Sequence, residues 1–160
     1  MNNFPRGFQL LLTGVRVGGW YGMYTAEPAS LAQLREFLAG FDGPVVTFNG
    51  ARFDLPMIDH CMRATLGEGL VVRRHYDLLA EIEIAVGRRI SLDRLSLYTF
   101  GEEKVPWDHR QNAQAWRKAP QRLVDYNRVD LDLTHELFMR VLRGEHLYLG
   151  DASVVLPLPR

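Results

Sequence analysis

The sequence predicts an α/β sandwich in which helices cover a mixed sheet that opens with an antiparallel hairpin. Three observations lead there. Two strand-like runs at the start are joined by Gly18-Gly19, a two-residue hairpin signal, because glycine takes positive φ readily. Short apolar strands then alternate with segments of helical apolar spacing, in the order β-β-α-β-α-β-α-α-α. No repeat, low-complexity stretch or linker interrupts the 160 residues, so residues 1–160 read as a single domain long enough to bury a core.

The elements follow in order. Phe8 to Val17 and Trp20 to Thr25 are the two hairpin strands. Ser30 is placed as the N-cap of a helix, "LAQLREFLAG", that Gly40 stops. "GPVVTFNG" is a short, buried strand. From about Asp54 to Leu66 the spacing is helical, with Leu55, Ile58, Cys61 and Met62 on one side. Pro56 suits the first turn of that helix, where a missing N–H costs nothing. "LVVRRHYDLL" holds a short strand and leads into a helix near Leu78 to Val86. Ser91 caps "LDRLSLYTF", and Gly101 to Trp107 is a polar loop. A helix around Gln111 to Lys118 ends before Pro120. The last and longest helix runs from about Pro120 to Leu142 and ends at Gly144; Leu123, Val129, Leu133, Leu137 and Val141 give it a core face. The tail, "HLYLGDASVVLPLPR", suggests a small terminal hairpin.

Composition narrows the function classes. Lysine plus arginine equals aspartate plus glutamate at 19 each, which argues against a non-specific duplex binder with a basic stripe. It leaves room for an enzyme that grips a few nucleotides, since acidic metal ligands would offset basic phosphate ligands. No apolar run approaches the roughly 18–20 residues of a membrane span, so no membrane association is expected. The start, Met1 to Arg6, lacks the apolar core of a signal peptide. Cys61, the one cysteine, can form neither an internal disulfide nor a cysteine-built zinc site. A reducing, cytoplasmic setting is the expectation.

Two stretches carry candidate chemistry. In "VVTFNGARFDLPMI", Asn49 and Asp54 lie where a strand gives way to a helix, a place where a carboxylate is held by rigid elements yet open to a hard cation such as magnesium. Taken alone, the same residues read equally as a turn and an N-cap. In "LVDYNRVDLDLTHELF", Tyr126 and Asp130 are four apart and share one helix face, so a phenol and a carboxylate point into one space. Taken alone, they also fit an amphipathic helix with a half-buried tyrosine and a solvated aspartate.

Together, "TFNGARFDLPMI" and "YNRVDLDLTHELF" resemble the second and third signature motifs of the DEDD-type 3′–5′ exonucleases, which have the ribonuclease-H-like fold. "FNGARFDLP" looks most like family B polymerase exonuclease domains and the YprB-type ribonuclease-H-like domains. "HYDLLAEI", "SLDRLSLYTFGEEK" and "GEHLYLGDASVVLPLP" resemble the connecting segments of the latter. Tyrosine rather than histidine at Tyr126 matches the tyrosine subclass. The resemblance implies two divalent cations, Mg2+ or Mn2+, roughly 3.5–4 Å apart and held by four carboxylates, acting on the 3′ end of a single-stranded DNA or RNA. Asp54 and Asp130 match two of those carboxylates, and Tyr126 matches the residue that orients the attacking water. Asn49 would support the loop or touch the nucleic acid. Phe53 would lie at the substrate side of the site or pack beneath it, and Lys104 matches a family lysine that would meet the substrate.

One part of the pattern is missing. The first motif is a D-x-E on the opening strand, yet no Asp or Glu precedes Glu27. The hairpin matches the second and third strands of the family. The expected fold is therefore a ribonuclease-H-like mixed sheet flanked by helices that lacks or replaces its first central strand. Three explanations are open: a variant that lost the strand and its activity, a start codon placed too late, or a shift of Phe4 to Leu12 into the central position. Two carboxylates hold one magnesium weakly and two metals hardly at all, so this form is expected to be inactive or impaired. The alternative is a catalytically dead domain that binds nucleic acid or a protein partner. Asp77 is a minor candidate for a third carboxylate. An exposed strand edge would favour a homo-oligomer. Arg73, Arg74, Arg88, Arg89, Arg110, Arg117 and Lys118 could line a nucleic-acid path, with Trp107 or Tyr98 as stacking surfaces; each reads equally as a solvated charge. His135-Glu136 lacks the second histidine of a zinc-protease motif, and "DLDLTHELF" lacks the glycine of a calcium loop.

Overall fold

The computed structural model describes residues 9–101 and 106–160. The chain opens with the hairpin β1 (Thr13–Val17) and β2 (Trp20–Tyr24), then α1 (Pro28–Gly40) and β3 (Val45–Thr47). There follow α2 (Asp54–Leu66), β4 (His75–Asp77), α3 (Leu78–Val86) and α4 (Leu92–Phe100). A 3₁₀ turn (His109–Gln111) precedes α5 (Asn112–Lys118) and α6 (Pro120–Leu142), and the chain closes with β5 (Leu147–Tyr148) and β6 (Ser153–Val154). This is the mixed α/β architecture the sequence predicts. No helix among the described residues is long and apolar enough to cross a membrane.

The strands form three two-stranded ladders. β1 pairs antiparallel with β2, β3 pairs parallel with β4, and β5 pairs antiparallel with β6. Among the described residues no ladder joins β1 to β3, although both pack on α6. Among the described residues the hairpin and the parallel pair thus form separate ladders; of the Phe4 to Leu12 run that the sequence offers as a replacement central strand, residues 4–8 lie outside the described residues. Gln9 to Leu12 form no ladder; Leu10 instead lies buried among leucines of α1 and residues of α2.

β3 shows how the layers are built. Successive strand residues face opposite ways. Val45 packs on the cluster of Leu31, Leu34 and Leu38 from α1 with Ile58 and Met62 from α2. Val46 packs on the other cluster, which joins α3 (Leu78, Ile82), α4 (Leu95), α6 (Leu137, Val141) and the C-terminal hairpin (Leu147). Burying Leu31, Leu34, Met62, Leu78, Ile82 and Leu137 completely, at about 1.5–3 kcal/mol each, supplies much of the cohesion of the two layers.

Several local expectations are corrected. The first strand begins at Thr13, later than expected, while the short strand expected within "LVVRRHYDLL" is β4, His75–Asp77. Ser30 does not cap α1. The helix begins two residues earlier because Pro28 fits its first position, and the Ser30 hydroxyl instead accepts from the Thr25 amide at 2.8 Å. Only Gly18 of the glycine pair takes positive φ (56°), and Arg16 Nε donates to its carbonyl at 2.8 Å. Val129 does not join the core face of α6, being 43% exposed. Ser91 caps α4 as expected, accepting from the Arg94 amide at 3.3 Å.

Candidate functional site

β3 and β4 run parallel with Thr47 opposite Asp77, so both strands end on the same side of the fold. From there the chain after β3 turns through residues 48–53 into α2, while β4 passes directly into α3.

One carboxylate holds this end together. Asp77 accepts from the amides of Asn49 at 2.8 Å and Ala51 at 2.9 Å, which fixes the turn after β3. Its Oδ1 also accepts from Leu79 at 3.1 Å and Ala80 at 3.4 Å, which caps α3. Asp77 is 7% exposed, and four amides occupy its oxygens. It orders this end of the fold.

The turn needs its particular residues. Asn49 takes φ 67°, a left-handed conformation that asparagine tolerates better than most side chains. Gly50 lies over Thr47, where an added Cβ would come within 2.5 Å of the Thr47 Cβ. Its amide donates to Thr47 Oγ1 at 3.2 Å, and its carbonyl accepts from the Leu55 amide at 2.9 Å. The Asn49 side chain supports the loop: its Oδ1 accepts from Arg89 Nη2 at 2.6 Å.

Asp54 is the first residue of α2, with Phe53 at the cap position and no side-chain capping bond. The residue as a whole is exposed, yet enough protein surrounds its carboxyl for loss of hydration to raise the pKa above the ordinary carboxylate value. Repulsion from Asp77 and then Asp130 adds to the rise, and a hydrogen bond to the residue's own backbone opposes it. Asp130 is half-buried on α6, so the fold brings this distant carboxylate within electrostatic reach of Asp54.

Tyr126 lies one helical turn before Asp130. Its ring stacks on Trp107 at 4.8 Å with an interplanar angle of 22°, and His109 meets it edge-on at 5.7 Å. Trp107 is itself fixed, donating from Nε1 to Asn112 Oδ1 at 2.7 Å. Tyr126 takes one face of the Trp107 ring that the sequence offers as a stacking surface for nucleic acid. Phe53 is 41% exposed rather than packed beneath the site. Lys104 lies outside the described residues.

Asp54 and Asp130 thus provide two carboxylates. No group of three or more His, Cys, Asp or Glu side chains among the described residues is arranged to hold a metal ion. Two carboxylates fall short of the four that a two-ion centre takes.

The sequence reading missed the opposite face of α6. Arg16 Nη1 pairs with Asp132 Oδ1 at 2.9 Å, the Tyr21 hydroxyl donates to the same oxygen at 2.5 Å, and the Arg128 guanidinium lies 4.2 Å from the Tyr21 ring centroid. These contacts dock the hairpin. Arg128 and Asp132 are four apart in "YNRVDLD", a spacing that could have revealed a second polar face. Between them and the core, β1 approaches so closely that a Cβ on Gly14 would lie 1.8 Å from Asn127 Oδ1, a buried atom with no hydrogen-bond partner.

A family model described as RNase_H superfamily matches residues 22–142, from the second hairpin strand to the end of α6. No curated protein matches the chain.

Proposed function

Because this chain belongs to the ribonuclease H superfamily, we propose that it acts on nucleic acid as a relative of the DEDD-type, tyrosine-subclass 3′–5′ exonucleases. The substrate is the 3′ end of a single-stranded DNA or RNA, and residues 1–160 work as one domain. The observation that carries this reading is the mutual influence of Asp54 and Asp130, which lie far apart in sequence within the two stretches that resemble the family motifs.

Asp54 and Asp130 would attach a divalent cation, Mg2+ or Mn2+, and Tyr126 would orient a water toward the terminal phosphodiester. A bound cation supplies charge stabilisation at the phosphate and makes a coordinated water more acidic. The surroundings raise the Asp54 pKa, and a nearby cation would oppose that rise by favouring the charged carboxylate. The stack on Trp107 restricts the Tyr126 ring. Asn49 acts by fixing the loop that presents Asp54, through Asp77 on one side and Arg89 on the other.

With two carboxylates rather than four, we propose that hydrolysis by this form is weak or absent. That supports a second reading, a catalytically dead domain that binds nucleic acid or a protein partner; the observation favouring it is that no group of three or more His, Cys, Asp or Glu among the described residues is arranged to hold a metal ion. The test is manganese-dependent release of nucleotides from a 3′-labelled single strand. Slow release abolished by Asp54→Ala and by Asp130→Ala supports the enzyme. Binding without release supports the second reading. Release unchanged by both substitutions refutes the site.

A further inference from the structure

A cleft of about 500 Å³ opens between the start of α4 and the turn of the C-terminal hairpin. Its wall carries Arg88, Arg89, Ser91, Arg94 and Tyr98, faced by Gly150 and Asp151. Three guanidiniums therefore meet one carboxylate in the lining. Arg88 is paired with Asp151, and Arg89 with Glu83 at 2.9 Å. Arg94 is exposed and has no carboxylate in ion-pair contact among the described residues.

The cleft is held rigidly. The Tyr148 amide donates to Thr99 Oγ1 at 3.1 Å, tying the hairpin to α4. The Leu149 amide donates to the Ala152 carbonyl at 2.8 Å and closes the turn. Gly150 takes φ 92°, and the Tyr98 ring lies so near that an added Cβ would be 3.0 Å from it. Tyr98 is thereby placed, yet remains 45% exposed. The cleft also connects to the candidate site: Arg89, in its wall, donates to Asn49 in the loop that leads to Asp54.

We propose that this cleft is a second nucleic-acid subsite, in which Arg94 and Arg88 take a backbone phosphate of the single strand and Tyr98 stacks a base. Charged guanidiniums suit a phosphate's geometry, and a ring with an open face accepts any base. The Arg89–Asn49 bond makes the two sites neighbours, so one strand can occupy both. The inference rests on the proposal that the chain handles single-stranded nucleic acid, and it assigns the surface along which the strand lies.

The test is fluorescence anisotropy with a short 5′-labelled single strand in excess EDTA, so that binding is read without hydrolysis. Arg94→Ala is expected to weaken binding roughly tenfold and to reduce the slope of log K against log salt by about 0.7. Tyr98→Ala is expected to weaken binding about fivefold or more with no change in slope. Arg63→Ala, at an exposed arginine of α2 paired with Asp59, serves as the control and should change little. Thermal melts confirm that each variant is folded. Unchanged affinity and slope in folded Arg94→Ala and Tyr98→Ala would overturn the inference, as would no binding by the unaltered chain. Preferential binding of a nucleoside 5′-monophosphate over the strand would also overturn it, assigning the cleft to a free phosphate. Loss of hydrolysis in Asp54→Ala with binding intact speaks to the catalytic reading alone and leaves the subsite standing.

Discussion

Asp77 and Asp54 lie at the same end of the fold and are opposites. Asp77 is buried, and its oxygens receive four backbone amides. Asp54 is exposed, has only its own backbone as a named hydrogen-bond partner, and carries a carboxyl whose ionisation is opposed by lost hydration and by two other carboxylates. The first arrangement lowers the energy of the folded chain. The second raises the energy of the charged form, offset in part by a hydrogen bond to the residue's own backbone, as at sites kept for a ligand rather than for stability. The difference is in the partners, since both residues are aspartates at the junction of a strand and a helix.

The largest expected effect comes from removing the structural member. Asp77→Ala leaves the amides of Asn49, Ala51, Leu79 and Ala80 without their acceptor and should destabilise the chain by about 3 kcal/mol in urea unfolding. A loss below about 0.5 kcal/mol, within the range of an ordinary surface change, would break the contrast.

Next is the ring that supports the Tyr126 side of the site. Trp107→Ala removes a stacked partner at 4.8 Å and should cost about 1 kcal/mol. If Tyr126 orients the water, any measured hydrolysis should fall further than stability does. Equal activity in Trp107→Phe and Trp107→Ala would show that the stack has no part in positioning it.

The smallest effect should have the opposite sign. Asp54→Asn removes a charge that its surroundings disfavour and should slightly raise stability at neutral pH. The folded pKa of Asp54 lies above its unfolded value, so the native state binds the proton more tightly. Its contribution is therefore most favourable below the unfolded carboxylate pKa and is lost as pH rises through the folded value. The advantage of Asp54→Asn should appear over that same rise and vanish in acid. Melting curves at several pH values check this, and destabilisation at neutral pH would mean that Asp54 has a structural partner as Asp77 does.

Much of this was legible in sequence wherever the cause is local. Pro120 and Gly144 bracket α6, Ser91 caps α4, and the four-residue spacing puts Tyr126 and Asp130 on one face. Where two local signals competed, the reading failed: Pro28 at the first helical position prevailed over Ser30 as a cap. The run before Thr13 looks like strand, but residues 9–12 have no ladder partner, and apolar residues alone do not make a strand. The role of Asp77 was hidden because two of its donors come from a turn about 26–28 residues earlier. Arg88, Arg89 and Tyr98 are candidates from sequence alone, but their meeting in one cleft with Arg94 was hidden for the same reason, since Arg88 meets Asp151 across 63 residues.

The claim on which the rest depends is that Asp54 and Asp130 face one another closely enough to act as one site. NMR titration of the Asp54 carboxyl in the unaltered chain and in Asp130→Asn measures this directly. The Asp54 pKa should begin above the ordinary carboxylate value, held there mainly by lost hydration, and fall by a small part of that rise when Asp130 is neutralised. An Asp54 pKa that starts at the ordinary value, or does not move with Asp130→Asn, would contradict the account.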